Sequence, residues 1–281
     1  MGEPKPPRTA TAPASIDTTS HSEFFDYYAK QSETEETRQR FRGLRDAVRE
    51  ARRLCDRETP MTRSAWSVAD IGCGAGTQSI MWAQDGHEVH GLDINAPLVE
   101  LAAKRASAYG LAIDFRVGTA AALPWPDRTI DVCLVPELLE HVPEWERCLD
   151  EFARVLRPNG LLAITTNNTL CPIQYEFNLP LYSWYPGRLK RRYERLAVTT
   201  RPEIANHAKY PAVNWFTYYG LSRALRRRHM RTLDRFDVAA PGTTSAIKRA
   251  LLTLVRSVPP LRALGHVATP YTLVIGVKSP R

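Results

Sequence analysis

Several absences narrow what this chain can be before any motif is read. No apolar run is long enough to span a bilayer, and no charged-then-apolar leader with a cleavage site opens the sequence, so export is not indicated. The five cysteines, Cys55, Cys73, Cys133, Cys148 and Cys171, are odd in number and scattered, without a C-x-x-C pair. Neither a disulfide framework nor a zinc site is expected, which fits a reducing cytoplasm. Helix-turn-helix, zinc-finger and RNA-recognition signatures are missing around the two basic clusters, Arg188-Leu189-Lys190-Arg191-Arg192 and Arg226-Arg227-Arg228. The net charge of +8 is therefore read as a solvated arginine surface, and nucleic acid is not the expected partner.

A missing glycine is equally informative. Val68-Ala69-Asp70-Ile71-Gly72-Cys73-Gly74-Ala75-Gly76-Thr77-Gln78 reads as a buried strand, a glycine turn and the start of a helix. Dinucleotide-binding loops follow G-x-G-x-x-G, which would need glycine at Thr77; here it falls one residue early, at Gly76. Alternate glycines leave backbone N–H groups open to a ligand, and the next helix adds its own free N–H groups. The strand ends in Asp70, whose charge repels a pyrophosphate and attracts an ammonium or sulfonium. Asp93 closes the next apolar run, Val89-His90-Gly91-Leu92-Asp93, where a carboxylate can accept both hydroxyls of a ribose.

At these residues the chain resembles the class I S-adenosylmethionine-dependent methyltransferases. The resemblance implies S-adenosylmethionine as cofactor, held by Asp70, Gly72, Gly74, Gly76, Asp93, Ile94, Thr119, Ala120 and Pro136. Thr119 stands where many relatives carry an aspartate near the adenine. Strand and helix patterns alternate from residue 66 to residue 166, which predicts an α/β fold: a doubly wound, mostly parallel sheet with ligands at the carboxyl ends of its strands. Family topology implies seven strands in a Rossmann-like arrangement, with Tyr271-Thr272-Leu273-Val274-Ile275-Gly276-Val277 antiparallel between the fifth and sixth.

Pro136-Glu137-Leu138-Leu139-Glu140-His141-Val142 follows the fourth strand. If the piece is helical, Glu137, Glu140 and His141 share one face and form a nest for Mg²⁺. The E-x-x-E-H pattern resembles that of the ubiquinone-biosynthesis O-methyltransferases, which implies these three as metal ligands. His141 could instead be the general base for a phenolic proton, and Glu and His at this place could simply brace the loop. An RNA methyltransferase would carry an N-P-P-[YF]-type segment here, and it is absent.

Residues 1–20 read as a disordered tail and 21–281 as one methyltransferase domain, with 170–217 an inserted lid. Tyr27 and Tyr28 could close over the ligand, and Arg42 or Arg45 could meet its carboxylate. The insertion is rich in rings, which suits a small hydrophobic or aromatic acceptor; Asn168, Gln174, His207 and Tyr210 are its candidate polar contacts. Residues 247–256 form an apolar-basic helix that could rest on an anionic membrane. The expected activity is O-methylation of a small phenolic, quinol or secondary-metabolite hydroxyl by a cytoplasmic enzyme that could also associate with a membrane. Methylation of a sugar, lipid or carbon nucleophile and a non-catalytic cofactor-binding regulator are the alternatives.

Overall fold

A computed structural model describes residues 34–56, 64–206, 211–239 and 245–280, together with Phe25, Ala29, Lys30 and Ser32. The tail of residues 1–20, Tyr27, Tyr28, His207 and Tyr210 lie outside the described residues.

The first strand, β1 (Ser67–Ile71), is buried at every position, as a strand covered on both faces must be. It pairs in parallel with β2 (Glu88–Asp93) and β4 (Ile130–Pro136). Parallel pairing continues from β2 to β3 (Asp114–Val117) and from β4 to β5 (Leu156–Asn167). Next to β5 lies β7 (Tyr271–Lys278), antiparallel, and beyond it β6 (Met230–Asp234). The strand order is β3-β2-β1-β4-β5-β7-β6. This is the seven-stranded, mostly parallel sheet expected. Its order reverses between β1 and β4, which in sheets of this kind is where the ligand crevice lies at the carboxyl ends.

Neighbouring residues of each central strand feed opposite cores. Ala69, Ile71, Cys133, Val135, Leu162 and Ile164 join one cluster, while Val68, Val132, Leu134, Leu161 and Ala163 join the other. Helix α1 (Glu35–Asp56) covers the second with Leu44, Val48 and Ala51, at helical spacing. Helices α2 (Thr77–Gln84) and α3 (Ala96–Ala108) are the crossovers after β1 and β2. Asn95 starts α3 by accepting from Leu98 N–H, and Pro97 sits in its first turn where no N–H is needed. Helix α4 (Trp145–Val155) covers the first core with Cys148, Leu149, Phe152 and Val155.

After β5 the chain makes a long insertion containing α5 (Gly187–Thr199). Many of its rings pack against one another. Phe177 stacks on Tyr182 at 4.0 Å, and Tyr185, Tyr193 and Trp215 close around that pair. The chain returns through α6 (Tyr218–Arg226), capped by the Thr217 hydroxyl on Gly220 N–H. Two helices, α7 (Ala246–Ser257) and α8 (Pro259–Val267), precede β7. Sequence patterning indicates α7 but not α8, whose two leading prolines occupy first-turn positions that a helix tolerates. The sixth strand is expected over 232–238 but ends at Asp234, where the carboxylate turns the chain by accepting from Phe236 and Asp237 N–H.

Candidate functional site

The crevice is built on the glycine turn. Gly72 and Cys73 N–H both donate to Leu92 O, at 2.7 and 3.1 Å, which fastens the turn to the end of β2. Gly76 and Gly74 differ in what they need. A Cβ on Gly76, whose φ is +75°, would stand 2.8 Å from Ala102 Cβ and 3.0 Å from Phe115 Cζ, so this glycine is required for packing. A Cβ on Gly74, with φ +50°, would meet nothing within 4 Å. Gly74 therefore presents open backbone at the crevice, and Gly72 seats Leu138 of the loop after β4.

Asp93 braces this turn. Its two carboxylate oxygens accept from Gly74 N–H and Asn95 N–H, each at 2.8 Å. These bonds fix the carboxylate at the end of β2, beside the glycine turn. Asp70 is buried at 1% exposure and accepts the Ser79 hydroxyl at 2.6 Å on one oxygen. Its other oxygen, Oδ1, has no hydrogen-bond partner, and neither amide atom of buried Gln78 has one. Burial pushes the Asp70 carboxyl up to about 7 against the Ser79 hydrogen bond, and the charge of Asp93 adds to the rise. Open backbone and orphaned buried acceptors fit a polar ligand that brings its own donors and positive charge. Half-exposed Ile94 follows Asp93. Gly118 N–H donates to Asp93 O at 2.9 Å, bringing Thr119 and Ala120 to the same edge.

The arginines expected at the ligand are engaged elsewhere. Arg42 pairs with Glu35 and Arg45 with Asp85. Arg105 of α3 is the arginine at the turn: its guanidinium donates to Ala75 O at 2.6 Å and to the Thr77 and Ser32 hydroxyls. It lies in sequence well beyond the glycine motif, and no local pattern marks it.

The segment after β4 is not helical. Pro136 ends the strand opposite Thr165, and Glu137 takes a left-handed φ of +50° with its N–H on Thr165 O. A turn follows, so the helical face expected for Glu137, Glu140 and His141 does not form. Glu137 is gripped by Arg40 of α1, one guanidinium nitrogen reaching both oxygens at 2.7 and 2.9 Å. Glu140 is fully buried and accepts the Thr166 hydroxyl at 2.8 Å. Burial, then repulsion from Glu176 and Glu137, raises its carboxyl well above the ordinary range. Asn214, which the sequence did not single out, holds the turn by donating to Leu139 O and Val142 O. Among the described residues no group of three His, Cys, Asp or Glu side chains is placed to hold a metal ion. The donor set therefore does not fit the expected Mg²⁺ nest, because a backbone turn separates the three groups and one is committed to an arginine. His141 stays on the turn, half-buried, its N–H on Leu138 O.

Two of the polar acceptor contacts expected in the insertion serve the chain itself. Asn168 donates to His266 O and Thr269 O and accepts from Leu170 N–H. Gln174 donates to Phe177 O and Leu179 O and accepts from Glu176 and Phe177 N–H. Glu176 is the acid this segment does bring inward: it is 9% exposed, with Oε2 lacking a hydrogen-bond partner.

Residues 69–164 match a family model described as a methyltransferase domain. A ubiquinone biosynthesis O-methyltransferase of Rhizobium etli is 34% identical over 113 residues, which is 40% of this chain and 46% of that protein. Its namesake in Coxiella burnetii is 31% identical over 130 residues, 43% and 56% of the two chains. The chain thus spans about half the length of the curated relatives it matches. Among solved structures, a SAM-dependent methyltransferase from Methanosarcina mazei superposes with a TM-score of 0.50 at 21% identity, covering 78% of this chain and 95% of that one. A Pyrococcus horikoshii protein gives 0.51 at 17%, covering 88% and 93%. At such identities the likeness is one of fold, and it agrees with the fold expected from the glycine turn.

Proposed function

We propose that this chain, with its methyltransferase domain at residues 69–164, transfers a methyl group from S-adenosylmethionine to the hydroxyl of a small phenolic, quinol or secondary-metabolite acceptor. The observation that carries the reading is the open backbone of Gly74 between Asp70 and Asp93 at the point where the strand order reverses. Bound S-adenosylmethionine supplies an electrophilic methyl on a sulfonium. The residues of this chain supply position: Asp93 for the ribose hydroxyls, Gly74 for close backbone approach, and the buried Asp70 beside Gln78 for the donors at the methionine end.

The oxygen nucleophile is favoured by the names of the O-methyltransferase relatives and by the need of a phenol, with its pKa near 10, for a base at neutral pH. His141, on the turn after β4, takes the role of that base. Carbon, sugar and lipid acceptors remain alternatives for an acceptor screen to separate. Peripheral contact with a lipid surface belongs to the same reading. It rests on Ile247, Leu251 and Leu254, exposed at i, i+4 and i+7 of α7.

Calorimetric titration with S-adenosylmethionine, beside NADH as control, tests the donor. Micromolar binding of the first and none of the second is expected, with binding weakened at least tenfold in Asp93→Ala. Unchanged affinity in that variant removes Asp93 from the site, and a protein that binds no S-adenosylmethionine is not a methyltransferase of this kind.

A further inference from the structure

Three carboxyl groups lie about the turn after β4, and among the described residues one cation, Arg40, pairs with one of them. Glu137 and Glu140 come from that turn and Glu176 from the insertion after β5. Besides burial, Glu176 and Glu137 both raise Glu140, and Glu137 raises Glu176. Arg40 answers Glu137. The other two are not answered in full. Glu140 Oε1 and Glu176 Oε2 are buried without a hydrogen-bond partner, on side chains 0% and 9% exposed. Buried carboxyls are retained at a cost unless something donates to them.

Aromatic faces lie beside these acids. Tyr271 opens β7 opposite Asn167, at the carboxyl edge of β5. Its ring stacks on Tyr175 with centroids 5.8 Å apart and planes 21° from parallel. The Tyr271 hydroxyl is raised by burial and then by Glu137, with Arg40 opposing and Glu176 and Tyr175 adding to the rise. Thr166, which donates to Glu140, precedes Asn167 opposite Tyr271, and Tyr175, which precedes Glu176, stacks on Tyr271, so both acids adjoin the ring pair. The turn after β4 adjoins the glycine turn, because Leu138, between Glu137 and Glu140, packs on Gly72.

The occupants can be compared by what they donate. A metal ion does not fit, since no three ligands converge there among the described residues. A neutral hydroxyl satisfies one oxygen and gives no reason for a second acid or for the rings. A protonated amine donates up to three hydrogen bonds and is drawn to both carboxylates and ring faces. We propose that the methyl acceptor carries a basic nitrogen, which docks as an ammonium between Glu140 and Glu176 beside the Tyr175–Tyr271 pair while a hydroxyl elsewhere on it meets the methyl donor. The proposal rests on the methyl-transfer reading above and names its substrate class.

Charge makes the docking pH-dependent. Burial, with repulsion from Glu137, pushes Glu176 up to about 7, and burial, then repulsion from Glu176, holds Glu140 well above the ordinary carboxylate range. An arriving ammonium favours their ionised forms, so binding expels protons and tightens as pH rises through neutrality. Among the described residues, Arg40, Glu137, Tyr175 and Tyr271 are the other charged or titratable groups in this electrostatic set. Arg40 stays on Glu137 and so leaves the inner pair to the ligand.

Dopamine and 4-ethylcatechol, which differ only in the amine, are the probes. The full chain is first titrated with S-adenosylhomocysteine, which reports on the donor site alone, and then with each catechol at pH 6 and pH 8. Dopamine is expected to bind at least tenfold more tightly than 4-ethylcatechol at pH 8. Its enthalpy should vary with buffer ionisation as protons leave, and its preference should fall within threefold in Glu176→Gln and in Glu140→Gln. Either variant that keeps the wild-type circular dichroism serves. Equal affinities, no saturable dopamine binding to protein that does bind S-adenosylhomocysteine, or a preference surviving both substitutions overturns the proposal and leaves the donor reading standing. Failure of S-adenosylhomocysteine to bind overturns the methyl-transfer reading itself, and this proposal with it.

Discussion

Gly74 and Gly76 are two residues apart on one turn, both with positive φ, and the structure gives them opposite sensitivities. Alanine at either position is held in the left-handed region, at about 1–2 kcal/mol. At Gly74 that is the whole structural penalty, because the new methyl meets nothing within 4 Å. At Gly76 the methyl lands 2.8 Å from Ala102 Cβ and 3.3 Å from Ala102 Cα. Backbone of α3 must then give way, adding about 1–3 kcal/mol of overpacking. Gly76→Ala should therefore lose about 2–5 kcal/mol against about 1–2 for Gly74→Ala. With each kcal/mol worth about 2–4 °C in domains of comparable size, the melting temperatures separate visibly. Ligand binding should rank the other way when expressed per unit of stability lost. The Gly74→Ala methyl occupies the space a ligand needs for backbone approach, so S-adenosylhomocysteine affinity should fall at least tenfold in a protein that remains folded. Thermal unfolding and calorimetry on both variants decide it. A Gly74→Ala protein that binds normally, or a Gly76→Ala protein as stable as Gly74→Ala, refutes the division of labour.

Three further outcomes follow from the charged groups. Glu176 has its carboxyl raised from 4.5 to about 7, so the folded protein holds a proton that the unfolded chain releases, and stability falls as pH rises through that interval. Glu176→Gln should then raise the unfolding free energy, read from urea titration, by up to about 3 kcal/mol at pH 8 and leave it unchanged near pH 4; a destabilised variant at pH 8 contradicts the sign. Asp234 behaves oppositely. Burial works against its charge, but hydrogen bonds from His266 at 2.9 Å and Arg262 at 2.7 Å hold its carboxyl well below the usual range. Its contribution is full above pH ~4 and is lost only as pH falls through the depressed value. Asp234→Asn should cost about 3–5 kcal/mol at pH 7 and far less at pH 2, read from urea midpoints. His141→Ala should abolish transfer to a phenol while leaving S-adenosylhomocysteine affinity within threefold; wild-type turnover in that variant removes the base assignment.

The sequence by itself determined the alternation of strands and helices around the glycine turn and pointed to a donor-side site there. Apolar strands ending at Asp70 and Asp93, glycines at 72, 74 and 76, and alternating helical segments are local signals, since each depends on residues a few positions apart. They led to the mostly parallel, doubly wound sheet, while its seven strands and antiparallel β7 were implied by the family resemblance. What only the tertiary structure decided lies in contacts between distant segments. Glu137, Glu140 and His141 look like one helical face at i, i+3 and i+4, yet Arg40, 97 residues away, takes Glu137 and the chain turns through a positive φ. Gln174 and Asn168 read as ligand contacts but are consumed by carbonyls of their own surroundings. Arg105 reaches the glycine turn only because α3 packs beside it. Glu176 lies in a segment of rings and loops with no periodic pattern, and its importance comes entirely from being carried inward to Glu140. Local patterning fixes which backbone a segment adopts. Which carboxylate is neutralised by an arginine and which is left facing another acid depends on three-dimensional proximity, which no spacing along the chain encodes.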